Sequence, residues 1–204
     1  MPPYDAGRSL ARQAARLDGA AHGSLPPLLA LTDPQRTPDP VAFAARLPRG
    51  CGLIYRHYGA KNRFDIARHL ARVARERDLV FLVSADTGLA RACTADGQHF
   101  PESRLPEAAR ARQRGDTGLF TAACHSRSAL TRAAEAGLDA ALLSPILPSA
   151  SPSAVRPLGL MRARSWVFEA GLPVYALGGI NADTVRRLKG CGFSGIAAIG
   201  GITD

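Results

Sequence analysis

The sequence predicts an α/β fold, a single (β/α)8 TIM barrel with an extra N-terminal helix and a short C-terminus. Three observations lead there. From Leu28 onward, short apolar runs of strand length alternate with Ala/Arg-rich stretches of helical period. Such alternation implies a parallel sheet covered by its crossover helices and buried on both faces. The glycine doublets, Gly178-Gly179 and Gly200-Gly201, follow the last two strand candidates, whereas the turn after the first is Thr32-Asp33-Pro34. An open dinucleotide-binding sheet carries its glycines after the first strand, and a barrel carries them after strands seven and eight. Finally, 204 residues suffice for one sizeable core and are marginal for two.

Residues 1–27 read as an N-terminal extension and 28–204 as the barrel. Within the extension, Ser9–Asp18 is an arginine-bearing amphipathic segment, expected to pack as a helix on the outside. The first strand candidate, Leu28–Thr32, leads to a helix at Val41–Arg46. Gly52–Arg56 leads to Asn62–Arg77, Val80–Ser84 to Thr87–Cys93, and Gly97–Phe100 to Leu105–Arg114. Leu119–Cys124 leads to Ser128–Ala136, Ala140–Ser144 to Gly159–Glu169, and Val174–Leu177 to Ala182–Lys189. The eighth strand, Gly195–Ile199, has no helix after it before Asp204. Either Ser9–Leu17 covers the place of that helix, or the sequence is truncated.

The formal charge of +9 rests almost wholly on arginine, with Lys61 and Lys189 the only lysines. The arginines are spread over the helical stretches rather than gathered on one face, and no nucleic-acid-binding module accompanies them. They read as solvated helix faces, with a basic mouth for anionic metabolites as a compatible effect. Cys51, Cys93, Cys124 and Cys191 lack CxxC spacing, which argues against zinc and for free thiols in a reducing cytoplasm. No apolar run approaches the ~20 residues that span a bilayer.

The strongest local signal is Val174-Tyr-Ala-Leu-Gly-Gly-Ile-Asn-Ala-Asp-Thr184, a buried strand running into two glycines and a helix start capped by Asn181 or Asp183. Backbone N–H groups there, backed by a helix dipole, suit a phosphate. Together with Ile199-Gly200-Gly201-Ile202 on the neighbouring strand, this makes Gly178, Gly179, Ile199 and Gly200 the expected phosphate-binding residues. A tight strand-to-helix turn without a ligand is the plainer alternative.

Several stretches together resemble the thiamine phosphate synthase superfamily, which includes the TenI-type thiazole tautomerases. They are Ala30-Leu-Thr-Asp33, Leu53-Ile-Tyr-Arg56, Ala95-Asp-Gly-Gln-His-Phe-Pro101, Ala136-Gly-Leu-Asp-Ala140, Leu143-Ser-Pro-Ile-Leu-Pro-Ser149, Pro173-Val-Tyr-Ala-Leu-Gly-Gly-Ile180 and Gly195-Ile-Ala-Ala-Ile199. The resemblance runs from about Leu28 to Ile202 and implies a role in thiamine biosynthesis. A synthase joins a pyrimidine pyrophosphate to thiazole phosphate using magnesium. Its third-strand Asn-Asp becomes Ser84-Ala85 here, and Arg104 stands where its second metal carboxylate is expected. Of its Arg-x-Lys on strand two only Arg56 is kept, Tyr58 replacing the lysine, and its Thr-x-Thr-Lys becomes Ser149-Ala150-Ser151-Pro152. The thiazole side is better kept: Thr121-Ala-Ala-Cys-His-Ser126 resembles the TenI pattern, with His125 on the position of its catalytic histidine.

The resemblance thus implies a thiazole tautomerase-like isomerase, with His125 catalytic and Arg56, Ser149 and Ser151 binding substrate. His125 could otherwise be a loop residue beside a helix cap, and Arg56 part of an ion pair on the rim. His57, Tyr58 and His99 are equally readable as pocket-lining or packed, and Tyr175 as core. No cofactor is expected. A divergent synthase using Glu102 or Asp86 for magnesium, and a catalytically silent phosphate-ligand-binding barrel, are the alternatives. The expected partner is a small phosphorylated metabolite rather than nucleic acid or membrane, and a homo-oligomer is compatible with the chain.

Overall fold

Eight parallel strands close on themselves in chain order, β1 pairing with both β2 and β8. The computed structural model describes residues 4–19, 25–149, 156–199 and 202. The strands are β1 Leu28–Leu31, β2 Gly52–Tyr55, β3 Val80–Ser84, β4 Gly97–Phe100, β5 Leu119–Cys124, β6 Ala140–Leu143, β7 Val174–Leu177 and β8 Gly195–Ala198. All eight stand where the sequence places them, four ending one residue earlier. In five of them every residue is buried, which is why they read as apolar runs without alternation.

Strand parity divides the core in two. Leu29, Leu31, Ile54, Leu82, Ala140, Leu142, Tyr175 and Ala197 fill the barrel interior, with Leu25 closing it from below. The opposite residues of each strand pack under the helices. Each leucine-sized side chain so buried contributes about 1.5–3 kcal/mol. Tyr175 is core, as expected, and donates its O–H to the Leu25 carbonyl at 3.1 Å.

Among the described residues seven α-helices accompany the strands: α1 Tyr4–Ala14, α2 Pro40–Arg46, α3 Arg63–Arg77, α4 Thr87–Ala92, α5 Leu105–Gln113, α6 Arg127–Glu135 and α7 Leu160–Glu169. Their starts are written locally. Asp39 accepts from the N–H groups of Val41 and Ala42, Asp86 from Leu89, and Ser126 from Ala129. Helix α1 lies against β1 and the turn before β8, burying Leu10 and Ala14, in the region the amphipathic segment was expected to cover.

One element differs from expectation. The stretch Ala182–Lys189 forms only a four-residue 3-10 turn, Val185–Leu188. Its two buried anchors, Val185 and Leu188, are three residues apart, and Gly190 and Gly192 at positive φ turn the chain back towards β8. Neither Asn181 nor Asp183 caps this turn: Thr184 precedes it without a side-chain cap bond, and Asn181 Oδ1 accepts instead from the N–H groups of Asp183 and Thr184, ahead of it, at 3.0 Å each. The helix dipole expected behind Gly178-Gly179 is therefore not supplied by this segment.

Candidate active site

The C-terminal ends of the strands bring the chemistry-bearing residues to one rim. Arg56, Ser84, His99, Thr121, His125 and Ser144 all fall on the parity of the interior-facing residues of their strands, so they point towards the barrel axis.

His125 is the first residue past β5 and is exposed. Its Nδ1 lies 3.0 Å from the Ser144 carbonyl and 3.2 Å from Ser144 Oγ. A carbonyl only accepts, so Nδ1 carries the hydrogen, and in the neutral ring Nε2 holds a lone pair. Among the described residues Nε2 has no hydrogen-bond partner. The backbone is held as well: Glu102 Oε2 accepts the His125 N–H at 2.7 Å, while Oε1 pairs with Arg132 of α6 at 3.2 Å. Sequence reasoning missed this use of Glu102, because a carboxylate bound to a main-chain N–H leaves no motif.

Arg56, just past β2, is half-buried, and its N–H donates to buried Thr32 Oγ1 at 2.8 Å. Its guanidinium makes no hydrogen bond or ion pair with any described residue. His99 lies buried beside Thr121 Oγ1 at 2.9 Å. Burial, helped by the Arg56 charge, pushes its pKa down to about 3, so the ring is neutral. His57 has the opposite parity and stacks on Tyr55, with ring centroids 5.5 Å apart, so it is a packed residue and does not line the mouth. Tyr58 is exposed at the rim.

Gly178 and Gly179 adopt positive φ, +95° and +69°. A Cβ on Gly179 would stand 2.4 Å from the Pro148 carbonyl oxygen, and one on Gly178 would stand 2.9 Å from Pro145 Cα. The loop after β6 runs alongside, Ile146 and Leu147 donating to the Leu177 and Gly178 carbonyls at 3.0 and 3.1 Å. The glycines therefore have a packing role in addition to the phosphate role expected of them. Thr184 Oγ1 donates to the Gly179 carbonyl, and no described residue accepts the N–H of Gly179 or Ile180. Ile199, beside them past β8, tucks its side chain into the barrel interior. Ser149 is half-buried in the loop after β6, while Ser151 and Gly200 lie outside the described residues.

The synthase resemblance implies magnesium, but the residues present do not fit it. Asp86 Oδ1 receives the Leu89 N–H at 2.9 Å, and its Oδ2 pairs with Arg63 at 2.8 Å. Both Glu102 oxygens are taken, as described, and Arg104 pairs with Glu107 while donating to the Ala85 carbonyl. Among the described residues no three His, Cys, Asp or Glu side chains gather as a metal site.

Residues 30–202 match the family model described as thiamine monophosphate synthase. A thiamine-phosphate synthase of Lactococcus lactis subsp. cremoris (strain MG1363) is 30% identical over 157 residues, covering 76% of this chain and 71% of that protein. One of Alcanivorax borkumensis is 33% identical over 180 residues, covering 84% and 82%. The solved thiamine phosphate pyrophosphorylase of Pyrococcus furiosus superposes with a TM-score of 0.71 at 27% identity, covering 84% of each chain.

Proposed function

Because the chain belongs to the thiamine monophosphate synthase family of thiamine-biosynthesis barrels, we propose that its mouth binds a thiazole phosphate and moves a proton on that ring through His125. The observation that carries this is the tautomer of His125. Nδ1–H is held on the Ser144 carbonyl, which leaves the Nε2 lone pair to act as a base. Nε2 takes a proton from one ring position and returns it at another. Substrate and product are isomers, and no other reactant is consumed. Gly178, Gly179, Ile199 and Gly200 receive the phosphate, with the N–H groups of Gly179 and Ile180 supporting this placement. Arg56 receives a second anionic group of the ligand, such as a carboxylate, which an inward guanidinium without a partner among the described residues favours. Ser149, in the loop after β6, and Ser151 contact the ligand.

The relatives' names favour a second reading, formation of thiamine phosphate with release of pyrophosphate. The committed carboxylates of Asp86 and Glu102 weigh against it here. Incubating the protein with carboxylated thiazole phosphate in deuterated water, with EDTA and without a pyrimidine substrate, tests the first reading. Isomerisation with deuterium incorporation supports it, and its absence, with rapid magnesium-dependent pyrophosphate release in the full synthase mixture, establishes the second.

A further inference from the structure

The rim between β2 and β4 is tied together by the chain's own side chains. Tyr58, half exposed in the loop after β2, reaches Ser84 with its hydroxyl, 2.9 Å from Ser84 Oγ. Ser84 is fully buried and shares the inward parity of Val80 and Leu82, so this contact draws the tyrosine over the barrel interior. Ser84 Oγ lies 3.1 Å from the His99 carbonyl, which can only accept. That bond uses the single serine hydrogen, so the Tyr58 O–H donates to Ser84. The chain of donors therefore has one direction and one arrangement.

Arg63 locks the same corner. Its guanidinium lies 5.7 Å from the Tyr58 ring centroid and 5.8 Å from that of Tyr55. It donates to the Ser84 carbonyl at 2.7 Å and pairs with Asp86 at 2.8 Å. Arg104 donates to the Ala85 carbonyl and pairs with Glu107. Each oxygen at the end of β3 thus already has a protein donor: Ser84 Oγ and O, Ala85 O and both Asp86 carboxylate oxygens. Two of the nearby guanidiniums are neutralised by carboxylates, and each oxygen that would hold a cation already accepts a hydrogen bond from the chain.

We propose that Tyr58 is a specificity-determining residue that closes this side of the mouth to a diphosphate and leaves the site to ligands bearing a single phosphate. The inference rests on the thiazole phosphate reading above. A diphosphate brings about three negative charges that need several donors or a metal. With Tyr58 tethered across Ser84, Arg56 is left to meet them as the guanidinium on this rim that has no carboxylate partner among the described residues. A monoanionic group fits that single guanidinium, and the phosphate of the ligand lies across the barrel at β7 and β8.

The experiment is calorimetric titration of inorganic pyrophosphate, with and without magnesium chloride, into wild type, Tyr58→Ala and Tyr58→Phe. Thiazole phosphate is titrated into the same proteins. Tyr58→Ala should bind pyrophosphate at least tenfold more tightly than wild type, with or without magnesium, and thiazole phosphate affinity should change less than threefold. Tyr58→Phe keeps the ring and loses only the tether, so it should gain at least threefold; this variant also covers a folding failure of the alanine form. Wild type binding pyrophosphate as tightly as the variants overturns the proposal. If thiazole phosphate fails to bind wild type, the functional reading falls, while the pyrophosphate comparison still reports on Tyr58.

Discussion

Replacing Gly179 by alanine should cost more stability than its backbone conformation alone accounts for. The residue sits at φ +69°, where an L-residue costs about 1–2 kcal/mol. In addition, the new Cβ would lie 2.4 Å from the Pro148 carbonyl oxygen and 2.8 Å from Leu147 Cβ. That loop is hydrogen-bonded to the end of β7 through Ile146 and Leu147, bonds worth about 0.5–1.5 kcal/mol each, so it moves only by weakening them. The expected total is about 2–5 kcal/mol. Gly50 supplies the control: its φ is +73°, and a Cβ there would meet nothing within 4 Å, so Gly50→Ala reports the backbone term by itself. Urea denaturation of the two variants measures the difference. In the folded fraction of Gly179→Ala, thiazole phosphate binding should fall at least tenfold, about 1.4 kcal/mol, with the dephosphorylated alcohol unaffected. A Gly179→Ala no less stable than Gly50→Ala would refute the packing argument. An equal loss for the alcohol would remove the phosphate from this turn.

His99 and Arg56 give two further tests. His99 has its pKa lowered to about 3 in the folded chain, against about 6.5 when unfolded, so below pH 6.5 the unfolded state takes up a proton that the folded state refuses. Stability is lost as pH falls from about 6.5 towards 3, and His99→Gln should remove about 2 kcal/mol of that loss between pH 6.5 and 5. Equal pH slopes for the two proteins, measured by urea denaturation, would contradict a neutral buried ring. Arg56→Met should change stability by less than about 1 kcal/mol, since no described residue pairs with the guanidinium. Its affinity for the carboxylated thiazole phosphate should fall at least tenfold by calorimetry, and an unchanged affinity would take Arg56 out of the site.

The barrel was legible because its strands are buried on both faces, so that Leu28–Leu31 or Ala140–Leu143 reads as an unbroken apolar run. Caps such as Asp39, Asp86 and Ser126 mark helix starts in the sequence itself. The turn at Val185–Leu188 was misread as a helix because its i, i+3 anchors fit both periods, and only the distance back to β8 decides between them. At the site, parity along the strands separates His99 from His57, once strand ends are fixed to a single residue. What could not be read is the side-chain wiring. The Tyr58–Ser84 contact joins residues 26 apart, and Glu102 reaches the His125 N–H across 23, through geometry that no local pattern encodes.

The most direct test compares wild type with His125→Ala in isomerisation of carboxylated thiazole phosphate, in the presence of EDTA. Acid–base help of this kind is worth about 10²–10⁴ in rate, so the variant should lose at least a hundredfold in kcat. Phosphate binding should stay nearly intact, because His125 follows β5 while the proposed phosphate site is at the ends of β7 and β8. A fall of only twofold would contradict the role of His125, and rapid magnesium-dependent formation of thiamine phosphate by wild type would replace the isomerase with a synthase.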